Sequence, residues 1–131
     1  MNPKIFISLP VADLSRSRTF WQALGYELNP QFGDEAGICV ILSGEVFLML
    51  ATHAKFLALS PKAICDTTKF NQALFCLACD SRQKVDDLVA RAVAAGGTTF
   101  EEAEDHGFMY SHSFIDPDGH GWGLAYMTAG A

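Results

Sequence analysis

The sequence has little charge, and least of all positive charge. Of its 131 residues only 18% are charged, and 9 Lys and Arg stand against 15 Asp and Glu, which gives a formal net charge of -6. The basic residues form no local patch. Binding to nucleic acid or to an anionic lipid surface needs such a patch, so we expect neither class of partner.

A long apolar run is also missing from the start of the chain. The sequence opens with Met1, Asn2, Pro3 and Lys4 and reaches an acidic residue at Asp13, so its first apolar stretch is short and interrupted. A signal peptide or a membrane span needs a longer run. We therefore expect no membrane partner and a cytoplasmic protein.

The few cysteines do not indicate a disulfide framework. Cys39, Cys65, Cys76 and Cys79 lie in or beside apolar runs, and a chain of this length folds without disulfides. We interpret them as reduced and mostly buried. Cys76 and Cys79 have the spacing of a zinc or redox pair, but in a predicted strand residues three apart point to opposite faces.

Apolar residues, by contrast, are abundant. Half of the chain is hydrophobic, with 10 Phe, 2 Trp and 3 Tyr, which indicates a well-filled core. The length suits one domain. We expect a single domain over residues 1–131, built from half-modules at about residues 1–60 and 70–131.

Both halves show the same order of elements. The first contains a strand at 4–9, a helix from an N-cap at Asp13 to Gly25, and strands at 38–43 and 46–51. A polar stretch at 52–69 follows. The second contains a strand at 73–79, a helix that begins at a capping box of Asp80 and Gln83 and stops at Gly96, and strands at 109–115 and 120–127 around a turn at 116–119.

This repeat predicts an α+β fold of two tandem βαβββ modules. Each module is expected to have a curved sheet with its helix on the convex face. Two such sheets can pair to enclose a cavity on their concave side, where a ligand would bind.

Four segments of the chain resemble motifs of one known superfamily. They are Leu9-Pro10-Val11-Ala12-Asp13-Leu14, Phe20-Trp21, Leu24-Gly25-Tyr26 and Phe114-Ile115-Asp116-Pro117-Asp118-Gly119-His120. They are similar to the vicinal oxygen chelate superfamily, which includes glyoxalase I, extradiol dioxygenases, and fosfomycin and bleomycin resistance proteins. Segments 52–56 and 105–110 resemble more narrowly a bacterial branch described as predicted lactoylglutathione lyases. The resemblance implies a glyoxalase-like fold and a homodimer.

The resemblance also implies where a metal would bind. Metal-using members place His or Glu at four strand positions, which correspond here to Phe6, Met49, Leu74 and Gly123. A hard divalent ion needs imidazole nitrogen or carboxylate oxygen, which these residues do not offer. We therefore expect no metal and no cofactor at this place.

The histidines offer no obvious replacement. His120 is expected near Asp116 at the end of the sheet, and His112 on the face opposite the cavity, so we interpret both as surface or core-edge residues. His53 and His106 lie in predicted loops. Either is a candidate general acid or base, although loop histidines are more often plain surface residues.

Strand alternation predicts the lining of the cavity. The candidate ligand-binding residues are Phe6, Ser8, Phe47, Met49, Leu74, Cys76, Met109, Ser111, Ser113, Gly121 and Gly123. This wall is mostly apolar, with two hydroxyls beside two small residues that leave room, and it suits a flat or apolar small molecule. An acidic run at 101–105 near the mouth would favour cationic ligands, as in the bleomycin-binding proteins that the chain resembles.

Catalytic residues are not assigned. Ser111 and Ser113 have no predicted His partner on their face, and Cys76 lies in mid-strand away from a base. The leading hypothesis is a protein that binds and sequesters an apolar or aromatic compound. Two alternatives stay open: a packed remnant without a ligand, and a metal-dependent lyase of the glyoxalase type with a relocated site.

Overall fold

The computed structural model of the protein describes residues 3–128. Its elements form two compact units, the first ending at Ile64 and the second beginning at Cys65. Both units have the predicted order βαβββ, and the first carries one additional helix at its end. The predicted α+β class is thereby confirmed. No helix in the described range has the length and hydropathy needed to span a membrane.

The first unit is a four-stranded sheet with one helix packed against it. Its elements are β1 (Ile5–Val11), α1 (Leu14–Ala23), β2 (Glu27–Leu28), β3 (Gly37–Ile41), β4 (Val46–Thr52) and α2 (His53–Leu59). The strand order is β1-β4-β3-β2. Strand β1 runs parallel to β4, whereas β3 runs antiparallel to both of its neighbours.

Helix α1 begins and ends where the sequence predicts. The side chain of Asp13 accepts a hydrogen bond of 3.1 Å from the backbone N–H of Arg16, as an N-cap does. Gly25 follows the helix with a φ of 98°, a conformation that glycine adopts without steric cost. Phe20 and Trp21 of the helix are buried in the core, as are Leu48 of β4 and other residues of the sheet.

Helix α2 has no counterpart among the elements predicted from the sequence. It occupies residues 53–59 of the stretch interpreted as polar and irregular, and the Thr52 side chain caps it by accepting from the N–H of Lys55 at 3.2 Å. Thr52 also ends β4, so strand and helix adjoin without a loop to mark the change. His53 is consequently the first helical residue and not a loop residue.

The second unit repeats the plan of the first. Its elements are β5 (Leu74–Ala78), α3 (Arg82–Ala94), β6 (Glu104–Asp105), β7 (Met109–Ile115) and β8 (Gly121–Met127), and the strand order is β5-β8-β7-β6. Strand β5 runs parallel to β8, and β7 runs antiparallel to both neighbours. Helix α3 buries Val85, Leu88, Val89 and Ala92.

The predicted cap of α3 is wrong by one residue. Ser81, and not Asp80, is the N-cap, and its hydroxyl accepts from the N–H of Lys84 at 3.0 Å. Serine and aspartate are comparable caps, so propensity does not separate neighbours of these two types. The predicted end is correct, because Gly96 takes a φ of 108° just beyond the helix.

The prediction that the cysteines are mostly buried is also wrong. All four are free thiols, but only Cys39 is buried, Cys65 and Cys79 are half-buried, and Cys76 is exposed. Burial raises the pKa of the Cys39 and Cys79 thiols. Both therefore stay protonated and unreactive at neutral pH.

Candidate ligand-binding site

The strand register of the first unit brings its four candidate residues to one face. Phe6 pairs with Phe47, and Ser8 pairs with Met49, so these side chains lie on the sheet face opposite to α1. The rings of Phe6 and Phe47 stack with centroids 5.0 Å apart and an interplanar angle of 15°. Phe6 is 50% exposed, which leaves an aromatic surface open on this face.

The second unit presents the other seven candidates on one face of its sheet. Cys76 pairs with Gly123, Gly123 pairs with Ser113, and Leu74 pairs with Gly121. Ser111 and Met109 follow at alternate positions of β7. The opposite face carries Phe75, Phe114 and Trp122, of which Phe114 and Trp122 are buried.

Five of these seven residues line a hollow of about 320 Å³. They are Leu74, Cys76, Ser113, Gly121 and Gly123, joined by Phe100 and Glu101. Phe75, Phe114 and Trp122 also border the hollow, although their side chains belong to the opposite face of the sheet. Met109 and Ser111 lie on the same sheet face but outside this lining. The wall is almost entirely apolar, and Glu101 is its one charged side chain.

Phe100 and Glu101 reach the hollow because the chain beside β7 bulges. Thr98 bridges to Ile115, and Glu104 pairs with Ser111, so the five residues 99–103 stand opposite the three residues 112–114. Extra residues on one strand of an antiparallel pair bend that strand and redirect its side chains. Glu101 belongs to the acidic run expected near the mouth of the cavity, but strand alternation did not predict it as a site residue.

Hydrogen bonds hold Glu101 in place on both its main chain and its side chain. The Ser113 hydroxyl donates to Glu101 Oε1 at 2.9 Å. His112 Nε2 lies 2.8 Å from the Glu101 carbonyl oxygen, which can only accept, so this ring nitrogen carries the proton. Thr99 donates to the Ser113 carbonyl at 2.8 Å and ties the bulge to β7.

The two glycines leave the floor of the hollow open. A Cβ at Gly123 would meet its nearest atoms at 3.5 Å or more, and a Cβ at Gly121 would meet the end of the Leu74 side chain at 3.1 Å. The rim is strongly exposed for apolar residues: Leu74 is 75% and Phe100 is 72% accessible. An apolar molecule in the hollow would remove this surface from water.

The hairpin that carries Ser113, Gly121 and Gly123 is fastened at its turn by Asp116. One carboxylate oxygen accepts from the N–H groups of Asp118 and His120, at 2.9 Å and 3.0 Å, and the other accepts from the Trp122 indole N–H at 3.1 Å. Asp116 is only 6% exposed. Burial raises the pKa of its carboxyl group, an effect that the nearby His120 opposes.

None of the four histidines lines the hollow, although His112 contacts the main chain of Glu101, which does. His120 is buried at the end of the sheet beside Asp116, as predicted, and His112 lies on the predicted face. His106 is exposed and lies 3.1 Å from Glu104. In residues 3–128, no three His, Cys, Asp or Glu side chains are grouped so as to hold a metal ion.

The four positions to which the resemblance assigns metal ligands do not fit a divalent ion. Phe6 and Met49 lie on the open face of the first sheet, and Leu74 and Gly123 on that of the second. Phe6 offers a phenyl ring, Met49 a thioether and Leu74 an alkyl chain, and Gly123 has no side chain. Hard divalent ions take nitrogen or carboxylate oxygen.

The beginning of the chain matches a known family profile, described as bleomycin resistance protein-like N-terminal, over residues 5–41. Nearly the whole chain matches solved structures. A hypothetical protein from S. aureus is 25% identical, with a TM-score of 0.81 and coverage of 96% of this chain and 94% of that chain. A glyoxalase-related enzyme from Fulvimarina pelagi is 21% identical, with a TM-score of 0.77 and coverage of 96% and 88%. The chain has the fold of the vicinal oxygen chelate superfamily.

The superfamily resemblance drawn from the sequence is thereby confirmed. The fosfomycin resistance protein FosX from Listeria monocytogenes shares the fold at 19% identity and a TM-score of 0.69, covering 100% of this chain and 95% of that chain. No curated protein matches the sequence significantly. Such identities establish a fold and carry no activity across. The narrower resemblance to the predicted lactoylglutathione lyases stays a prediction.

Proposed function

We propose that this vicinal oxygen chelate-fold protein binds, and sequesters, a small flat apolar or aromatic molecule in the hollow of its second unit. The observation that carries the proposal is the hollow itself, which has about 320 Å³ of space and a lining that is apolar apart from Ser113 and Glu101. Small-molecule sites are concave, mostly apolar and equipped with a few polar groups, and their volumes begin near 300 Å³.

The two glycines favour a bound ligand over a packed remnant. Glycine in a strand interior weakens the strand, and it often marks the close approach of a ligand or another backbone. Here Gly121 and Gly123 occur at alternate positions of β8, on the face of the hollow. Leucine or valine at either position would close the space and strengthen the strand.

The carboxylate of Glu101 favours a ligand that carries a positive charge. Its carboxylate is oriented by Ser113 at the edge of an apolar wall. A ligand that carries an ammonium or amidinium group beside an aromatic body would satisfy both features. Suitable probes are 2-naphthylmethylamine, which is cationic at neutral pH, and the neutral 2-naphthylmethanol.

The Gly123→Leu substitution is expected to weaken binding of 2-naphthylmethylamine by about tenfold or more, because the added side chain enters the hollow. The variant should fold, since a Cβ at this position meets its nearest neighbours, Phe75 O and Cys76 Sγ, at 3.5 Å and 3.7 Å. Affinity is measured by equilibrium dialysis. Cys76 is the exposed cysteine and lines the hollow, so protection of its thiol from Ellman's reagent gives a second readout.

Gly44→Leu is the matched control, because a Cβ there meets nothing within 4 Å and the residue lies in a turn of the first unit. This control should bind like the wild type. Unchanged affinity in Gly123→Leu would place any binding site elsewhere. Stoichiometric binding of Zn²⁺, Ni²⁺ or Mn²⁺ to the purified protein would instead favour the lyase alternative with a relocated metal.

The Glu101→Gln substitution is expected to weaken the binding of 2-naphthylmethylamine by about fivefold to tenfold and to leave the affinity for 2-naphthylmethanol unchanged. Glutamine keeps an oxygen that can accept from Ser113, so only the charge is removed. Glu102→Gln is the matched control, because Glu102 is the exposed neighbour and does not line the hollow. An equal effect of both substitutions would show general attraction by the acidic run and not recognition by Glu101.

Other parts of the hypothesis stay predictions. The assignment of the first-unit residues Phe6, Ser8, Phe47 and Met49 as ligand-binding residues stays a prediction from strand alternation. The homodimer, which the resemblance alone implies, and the cytoplasmic location belong to these untested predictions.

A further inference from the structure

The first unit contains a second hollow, which the function proposed above does not use. It has a volume of about 460 Å³ and is lined by residues that include Arg18, Leu28, Asn29, Pro30, Asp34 and Ile38. Leu28 pairs with Val40, and Ile38 pairs with Leu50. Val40 and Leu50 are buried on the α1 side of the sheet. The hollow therefore lies beside α1, and Gly33 and Cys39 complete its lining.

Arg18 of α1 is the notable polar group of this hollow. Its side chain is half-buried, yet its guanidinium makes no hydrogen bond or ion pair with any residue in the range 3–128. A guanidinium presents five N–H donors in a fixed plane. Partly withdrawn from water and without a protein acceptor, it is suited to receive an acceptor from a ligand.

One side-chain oxygen of each of Asn29 and Asp34 is already engaged with the backbone. Asn29 Oδ1 accepts from the N–H of Gln31 at 3.0 Å, and Asp34 Oδ1 accepts from the N–H of Ala36 at 2.8 Å. These contacts shape the loop between β2 and β3. Arg18 is the one positively charged donor in the lining of this hollow.

The remaining wall sets the class of the ligand. Leu28, Pro30 and Ile38 provide apolar surface beside the guanidinium, which suits a hydrocarbon or aromatic body. The carboxylate of Asp34 lines the same hollow and repels a second negative charge. We propose that the Arg18 hollow binds a small monocarboxylate with an apolar body, held by paired N–H···O bonds from Arg18.

The Arg18→Gln substitution tests this proposal with benzoate as the probe. We expect wild-type protein to bind benzoate, and Arg18→Gln to bind it about tenfold or more weakly, because a bidentate charged pair is lost. Arg18→Lys keeps the charge but not the paired geometry and should lose a smaller factor. Binding is followed by ¹H–¹⁵N NMR shifts, which should change at the amides of Arg18, Leu28 and Gly33.

Three comparisons make the outcome decisive. Benzamide, which is neutral, should bind more weakly than benzoate, and Arg16→Gln, on the same helix but outside the lining, should bind benzoate normally. Asp34→Asn should strengthen the binding of benzoate and allow inorganic phosphate to bind, because it removes a negative charge from the hollow. The proposal is overturned if wild type does not bind benzoate, if Arg18→Gln binds it equally well, or if the shifts lie at Ser113 and Gly123. The first two of these results leave the function proposed for the second-unit hollow untouched, whereas shifts at Ser113 and Gly123 would show that benzoate binds in that hollow instead.

Discussion

Replacing Asp116 by alanine is expected to lower the free energy of unfolding by about 3–5 kcal/mol. The carboxylate accepts from the N–H groups of Asp118, His120 and Trp122, and alanine removes the acceptor of all three bonds. A buried donor that loses its acceptor costs about 1–3 kcal/mol, and partial entry of water reduces the sum. Urea unfolding followed by tryptophan fluorescence measures the change.

The Asp13→Ala and Asp116→Asn variants show how much of the expected loss comes from the buried hydrogen bonds of Asp116. Asp13 is an exposed N-cap, so its loss should cost only about 1 kcal/mol. Asparagine at 116 can still accept from both backbone N–H groups, but its amide N–H₂ then faces the indole N–H of Trp122, and we expect about half the loss of the alanine variant. A loss in Asp116→Ala no larger than in Asp13→Ala would contradict the assigned role.

The same unfolding curves carry a pH dependence. Burial raises the pKa of Asp116 above its ordinary value of 3.8. At pH values between the ordinary pKa and the raised pKa of the folded protein, the folded state therefore binds more protons than the unfolded state. The free energy of unfolding therefore falls as pH rises through this window. Asparagine does not titrate. The stability advantage of wild type over Asp116→Asn should shrink as pH rises through the window, and an advantage that grows would contradict the raised pKa.

Local sequence signals were sufficient to predict most of the second-unit sheet. Strand β7 has the predicted bounds, 109–115, and the predicted pairing of Ser113 with Gly123 is the one observed. A short turn with proline and glycine fixes the register of a hairpin, and the register then fixes which residues share a face. The set of residues on the candidate face follows from these two facts.

What the sequence could not predict depends on contacts between distant segments. Glu101 reaches the hollow because the bridge of Thr98 to Ile115 and the pairing of Glu104 with Ser111 leave a bulge between them. No local pattern encodes that mismatch. Strand alternation likewise predicts the face of the sheet on which Cys76 lies, but it does not show which segments cover that face. Cys76, which was expected to be buried, is exposed.

Gly119→Ala is expected to lower the free energy of unfolding by about 3–4 kcal/mol, from two effects. Gly119 has a φ of 90°, where an L-residue is strained by about 1–3 kcal/mol. A Cβ there would also lie 2.7 Å from the carbonyl oxygen of Thr67 and 2.9 Å from its hydroxyl oxygen. Thr67 cannot easily move away, because its hydroxyl donates to the Asp118 carbonyl. Relieving the overlap costs about 1–3 kcal/mol more.

Substitutions at two further glycines separate the backbone strain at Gly119 from the steric overlap with Thr67. Gly96 has a φ of 108° but nothing within 4 Å of its Cβ position, so Gly96→Ala carries the backbone strain alone and should cost about 1–2 kcal/mol. Gly44 is open and has no positive φ, so Gly44→Ala should change stability by less than about 0.5 kcal/mol. Urea unfolding of the three variants gives the overlap with Thr67 as the difference between Gly119→Ala and Gly96→Ala. If that difference is zero, the turn does not pack tightly against Thr67, and the strain at φ alone explains why glycine is needed there.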